Sequence, residues 1–147
     1  MPQPRAGVMS MGMLNPSTAD ERRDDPTIAR CRRIATGSGA PNLLVWNLFA
    51  LRATDPAELR RAADPIGPDN DAAISLALSL CPRTIAAWGH HGAHLGRGDA
   101  VLRQCRAANA QLLALGLTFA GAPRHPLYLS RQVRPQPWRF RSPDRSP

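Results

Sequence analysis

Three short, continuous apolar segments constrain the fold of this chain more than any other feature. They are Gly7–Leu14, Asn42–Leu48 and Thr84–Trp88, and each runs into a loop rich in polar residues or glycine. Apolar runs without polar alternation are typical of strands that are covered on both faces. A fourth strand is predicted at Leu117–Ala120. Since the intervening segments are long enough for helical crossovers, we predict a three-layer α/β/α sandwich around a four-stranded parallel sheet.

Helix signals occupy the segments between these strands. Asp-Pro pairs predict helices that begin at Asp25 and at Asp55, each with the aspartate as the N-terminal cap. A third helix is predicted to begin at Asp69 or Asn70 and to reach about Leu80. The longest is predicted over Asp99–Leu115, where apolar residues recur at helical spacing, with Gly116 ending it.

Chain length and composition indicate one domain, over residues 1–130, followed by a basic tail over residues 131–147. No apolar run approaches the ~20 residues that span a bilayer, and no clear signal peptide is present. We therefore expect a cytoplasmic monomer without membrane contact. Cys31, Cys81 and Cys105 are widely separated, which favours buried reduced thiols over a metal site, and no cofactor is expected.

Positive charge is concentrated near the C-terminus. Residues 101–147 carry 8 arginines and 1 aspartate, whereas residues 1–100 carry 11 arginines and 10 acidic residues. The excess favours a polyanionic partner, here DNA, since neutralised phosphates release counterions. Trp138 and Phe140 add stacking surfaces typical of single-strand binding, or alternatively pack the tail on the domain. The predicted nucleic-acid contacts are Arg124, Arg131, Arg134, Trp138 and Arg139.

The predicted strand ends carry most of the candidate functional residues. Ligands of parallel sheets bind beyond the carboxyl ends of the strands, so loops that follow neighbouring strands converge there. The loops predicted to meet at this edge of the sheet are Asn15-Pro16-Ser17, Asn47-Leu48-Phe49, Trp88-Gly89-His90-His91 and Arg124-His125-Pro126. Since the chain has no lysine, a mechanism through a lysine Schiff base is excluded.

In this order the four loops resemble the motif series of the uracil-DNA glycosylase superfamily. The resemblance implies that Asn15 positions the attacking water, that Asn47 reads the edge of a flipped base, and that His125 is the second catalytic residue. It also implies a base pocket formed by Pro16, Ser17, Phe49 and Leu127. The pairing of asparagine with histidine is most similar to the single-strand-selective monofunctional uracil glycosylases.

A second resemblance is closer and covers more of the chain. The segments LNPSTAD, DDPTI, NLFA, DPIGP, AWG and PRHPLYL are similar to an uncharacterised bacterial family, domain of unknown function 1643. This similarity implies that the chain is a member of that family, but it does not indicate which reaction, if any, the protein catalyses.

The chemistry of the candidate residues fits base excision. Breaking an N-glycosidic bond produces a sugar cation and a base anion, which need a hydrogen-bond donor at the base and a positioned water. Each residue also has a simpler interpretation: Asn15 as a turn residue, Asn47 as a partner of loop backbone, and His125 as a surface histidine. The loop Asn15-Pro16-Ser17 is the first motif of the series. Asp20 and Asp25 are secondary candidates, since both follow it closely.

The leading hypothesis is a monofunctional glycosylase that acts on uracil or another modified base in DNA. The alternatives are a non-catalytic module that binds nucleic acid or nucleotides on the same fold, and a hydrolase or transferase of free nucleosides. His90 and His91 are adjacent and therefore a poor pair of metal ligands, so no metal is predicted.

Overall fold

The computed structural model describes residues 6–17, 25–127 and 129–139, and a mixed sheet of five strands lies at its centre. The strand order is β2-β1-β3-β4-β5. The first four of these are mutually parallel, and β5 runs antiparallel to β4. The fold is therefore α/β. The strands are β1 (Val8–Met13), β2 (Asn42–Asn47), β3 (Arg83–Ala86), β4 (Gln111–Ala114) and β5 (Gln136–Pro137).

Four α-helices and one 3₁₀ helix connect the described strands. Both predicted aspartate caps are confirmed: the Asp25 carboxylate accepts a hydrogen bond from Thr27 N at 2.8 Å, and the Asp55 carboxylate accepts one from Ala57 N at 2.9 Å. These bonds satisfy amide groups that the first helical turn leaves unpaired. The helices are α1 (Pro26–Gly37), α2 (Pro56–Arg61), α3 (Asn70–Leu80) and α4 (Arg97–Ala107), with the 3₁₀ helix over His90–Gly96.

The fourth parallel strand does not lie where the sequence predicted it. Helix α4 ends at Ala107, and Asn109 adopts a left-handed conformation with φ of 54°. The chain then enters β4, where Leu112 and Leu113 lie beside β3. The predicted helix over Asp99–Leu115 was therefore too long, because the apolar residues after Asn109 satisfy a helical and an extended pattern equally well.

The segment predicted as that strand, Leu117–Ala120, forms a tight turn instead. Thr118 N donates to Ala122 O at 2.7 Å, and Gly121 N donates to Thr118 O at 2.9 Å. Gly121 has a φ of 85°, which a glycine adopts without strain. Phe119 lies at this turn with its side chain fully exposed, so the prediction of a buried strand there was wrong.

A hydrophobic cluster lies on each face of the sheet, because side chains alternate along β1. Met9, Met11 and Met13 pack in one cluster with Cys31 and other residues of α1. The opposite cluster contains Trp46, Trp88 and the buried faces of α3 and α4. Gly12 lets Trp46 approach β1, since a Cβ at this position would lie 2.4 Å from the indole ring.

The described part of the tail joins this architecture. Trp138 N donates to Leu112 O at 3.0 Å, and the Trp138 ring lies 6.4 Å from that of Trp88. Further back along the chain, the Arg30 guanidinium donates to the carbonyl oxygens of Leu129 and Ser130. Residues 129–139 are thus attached to the sheet and to α1. Phe140 lies outside the described residues.

The three cysteines are buried and free, as predicted. Burial raises the pKa of Cys31 and of Cys105 to about 12, so both thiols stay protonated near neutral pH. Within residues 6–17, 25–127 and 129–139, no helix is long and apolar enough to cross a membrane.

Candidate active site

A cavity of about 950 Å³ opens at the carboxyl ends of β1, β2 and β3. Its size is in the range of sites that enclose a small organic ligand. Six of the residues predicted for the site line it: Asn15, Pro16, Ser17, Asn47, His125 and Leu127. Other residues of its wall are Asp25, Arg32, Arg52, Trp88, His90 and His91.

Asn15 is held rigidly at the end of β1 by its own side-chain amide. Its Nδ2 donates to Ala53 O at 2.8 Å, to Pro16 O at 3.1 Å and to Leu51 O at 3.2 Å. These bonds tie the first motif to the loop after β2, and they orient the amide. Among the described residues, none donates a hydrogen bond to Oδ1, which leaves this oxygen as a fixed acceptor.

Asn47 is the last residue of β2, and its backbone is held in place by hydrogen bonds from Asn70. Asn70 Nδ2 donates to Asn47 O and to Leu48 O, both at 2.9 Å. The side-chain amide of Asn47 is half-buried in the cavity wall and makes no hydrogen bond within the described part of the chain. It therefore offers one acceptor and two donor hydrogens to a ligand.

A buried arginine also holds the end of β2 in place, and the sequence analysis did not predict this role. Arg97 is 4% exposed, and its Nε donates to Leu48 O at 2.7 Å. Its guanidinium forms an ion pair with Asp71 at 2.7 Å. The neighbouring Gly98 was the available sequence signal, because a Cβ there would lie 3.1 Å from Gly92 O and glycines mark places where elements approach closely.

His125 is a neutral hydrogen-bond donor in this cavity. Its Nδ1 accepts a hydrogen bond from Leu127 N at 3.1 Å, so the ring proton resides on Nε2. Burial lowers the pKa of His125, and the nearby Asp25 carboxylate opposes this effect without overcoming it. The imidazole is therefore uncharged near neutral pH and presents Nε2–H.

Asp25 connects the first motif to α1. One carboxylate oxygen caps the helix, and the other accepts a hydrogen bond from Ser17 Oγ at 2.8 Å. This places a carboxylate in the cavity wall near His125. Asp20, the other secondary candidate, lies outside the described residues.

Phe49 is not brought to the cavity. It is 0% exposed, and its ring packs 5.8 Å from that of His94 within the core. His90 and His91 do line the cavity, with ring centroids 4.0 Å apart. Burial, with smaller effects of His90 and Arg60, lowers the pKa of His91. No cluster of three potential metal ligands occurs in the described ranges.

The residues predicted to bind nucleic acid lie apart from the cavity wall. Arg124, Arg131, Arg134 and Arg139 are exposed, and none of them lines the cavity. Trp138 is half-buried and belongs to the packing around Trp88. Its indole therefore packs in part on the domain, and it also lines a second cavity of about 280 Å³ beside Trp88.

Residues 3–127 match the sequence profile of the family described as Protein of unknown function (DUF1643). The chain belongs to this family. Every residue that lines the cavity falls within the range that matches DUF1643, whereas the arginines of the tail lie beyond it. No curated protein and no solved structure matches the chain.

Proposed function

We propose that this DUF1643 protein is a monofunctional DNA glycosylase that hydrolyses the N-glycosidic bond of uracil or another modified base. The observation that carries the proposal is the meeting of Asn15, Asn47 and His125 in one cavity at the carboxyl ends of the strands. The ordered resemblance of their motifs to those of uracil-DNA glycosylases adds support.

Each residue has a distinct role in the proposed reaction. Asn47 pairs its amide with the edge of a base that has been turned out of the stack. His125 donates Nε2–H to the base oxygen on which negative charge develops as the bond breaks. Asn15 holds a water molecule on Oδ1 and stabilises the sugar cation electrostatically.

Rigidity of these groups favours catalysis over simple binding. The Asn15 amide has three backbone partners, and His125 is oriented by Leu127 N. Donors and acceptors that are fixed before the reaction stabilise a transition state without the cost of reorganising.

The proposal is tested by measuring release of free base. The full-length protein is incubated with single- and double-stranded oligonucleotides that carry uracil or other modified bases, and with the corresponding free nucleosides. Release from DNA supports the proposal. Release from free nucleosides alone identifies a nucleoside hydrolase, and DNA binding with no release from any substrate identifies a binding module.

Substitution of Asn47 by aspartate tests how the base is recognised. The carboxylate presents only acceptors where the amide offered donors, so we expect loss of uracil release or a shift toward a cytosine-like edge. Asn70→Asp is not a matched control, because it alters the anchor of the same strand. Asn109→Asp is suitable, since this asparagine lies in the turn after α4. Unaltered base preference in Asn47→Asp would contradict the assigned role.

The basic tail is proposed to supply affinity that does not depend on sequence. We expect replacement of Arg131, Arg134 and Arg139 by alanine to weaken DNA binding and to flatten its dependence on salt. The measurement is DNA affinity over a series of salt concentrations. The matched control removes the same charge from three exposed arginines elsewhere: Arg33, Arg61 and Arg103. Equal affinity of the tail variant and wild type at low salt would assign the tail another purpose.

A further inference from the structure

Asp25 provides the only carboxylate among the described residues that line the cavity. The other charged side chains of that wall are the guanidinium groups of Arg32 and Arg52. A single carboxylate in a ligand-sized cavity is chemically distinctive, since it is ionised near neutral pH and can accept a proton there.

The proposed hydrolysis needs a proton acceptor, and neither Asn15 nor His125 supplies one. Water that attacks the sugar carbon must lose a proton, and the Asn15 amide is not basic. His125 is also unsuited, because Nδ1 already accepts a hydrogen bond from Leu127 N and Nε2 carries the ring proton. A separate base is therefore required. The remaining candidates of the cavity wall are Asp25, His90 and His91, and Asp25 is the one that a hydrogen bond from Ser17 joins to the loop of Asn15.

The geometry of Asp25 suits this task. Its two oxygens accept hydrogen bonds from Thr27 N and from Ser17 Oγ, both at 2.8 Å, which fixes the plane of the carboxylate. Each oxygen of an ionised carboxylate has two lone-pair sites, so one acceptor position remains on each. Ser17 follows Asn15 by two residues, and the hydrogen bond from Ser17 therefore holds Asp25 against the motif that positions the water.

We propose that Asp25 is the catalytic base that deprotonates the attacking water, an inference that rests on the glycosylase function proposed above. As the bond from the sugar carbon to the base nitrogen breaks, its electron pair leaves with the base. The water oxygen bonds to the sugar carbon, and one water proton passes to the Asp25 carboxylate. Asp25 then releases this proton to solvent or to the departing base, which restores the enzyme.

Asp25→Asn tests this role, because asparagine caps a helix as well as aspartate does but is not basic. We expect kcat for base release to fall ~10²–10⁴-fold with little change in KM, since a general base acts in the transition state. Asp25→Ser, which also caps without a charge, is the second variant if Asp25→Asn does not fold. Thermal unfolding of each variant shows whether the fold retains the stability of wild type.

Asp55→Asn is the matched control. Asp55 also precedes a proline and caps a helix through its carboxylate, with Ala57 N at 2.9 Å, but it does not line the cavity. We expect this variant to release base at the wild-type rate. If wild type releases base and the Asp25 variants are equally fast, Asp25 is only a helix cap and the glycosylase proposal stands. If wild type releases no base from any substrate, both proposals fail.

Discussion

Replacing His125 with alanine is expected to slow base release ~10²-fold or more while leaving DNA affinity close to that of wild type. The reason is that Nε2–H stabilises charge that exists only as the base departs. Burial keeps the pKa of His125 below its ordinary value, so the donor is the neutral imidazole and its removal does not change the charge of the site near neutral pH. Single-turnover release and DNA binding are measured on the same preparations.

Asn15→Ala is expected to slow release to a similar extent, through loss of the oxygen that orients water and the sugar cation. It also removes three hydrogen bonds to backbone carbonyls, so we expect a lower free energy of unfolding by about 1–3 kcal/mol. His94→Ala is the histidine control, because His94 packs beside Phe49 and does not line the cavity. Variants of Asn15 and His125 that alter affinity and not the rate would support a binding module instead.

The largest effect on stability is expected at Arg97. Its side chain is 5% exposed and reaches both Leu48 O and Asp71. Arg97→Ala removes this buried side chain with its bonds to Leu48 O and Asp71 and leaves a cavity, so we expect the free energy of unfolding to fall by about 2–5 kcal/mol. Urea denaturation measures this difference.

Arg97→Met separates volume from charge at the same position. Methionine fills much of the space without an ion pair, and Leu48 O keeps its hydrogen bond from Asn70. We expect a loss of less than about 1.5 kcal/mol, since an apolar side chain of similar size fills the space and the Asp71 carboxylate, 69% exposed, remains solvated. Equal losses in the two variants would show that the ion pair, and not the packing, stabilises the strand end that carries Asn47.

Local sequence signals were sufficient for the features that depend on neighbouring residues. The Asp-Pro pairs at Asp25 and Asp55 predicted both helix starts, because capping involves only amides two residues away. The apolar runs around β1, β2 and β3 predicted strands covered on both faces, which the two hydrophobic clusters confirm. The edge where Asn15 and Asn47 meet followed from the parallel order of β1 and β2. His125 was placed there from a strand at Leu117–Ala120 that does not form, and the hydrogen bond from Gly89 N to Pro123 O joins its segment to the loop after β3 instead.

Features that depend on distant partners were not predictable in the same way. Leu112 and Leu113 have apolar spacing that suits helix or strand, and pairing with β3 decides for β4. Phe49 follows Asn47 by two residues, but packing around His94 places it in the core. Trp138 was predicted either to stack on a base or to pack on the domain, and only the tertiary structure shows its partial packing against Trp88.

The sequence by itself therefore determined the α/β class, the helix caps at Asp25 and Asp55, and the loops after β1, β2 and β3, since these follow from periodicity and short-range hydrogen bonds. Only the tertiary structure decided which polar groups are already used and which remain for a ligand. The amide of Asn15 is committed to three carbonyls, whereas that of Asn47 has no partner among the described residues. The physical reason is that hydrogen-bond satisfaction depends on groups brought together from separate strands, which no local pattern encodes.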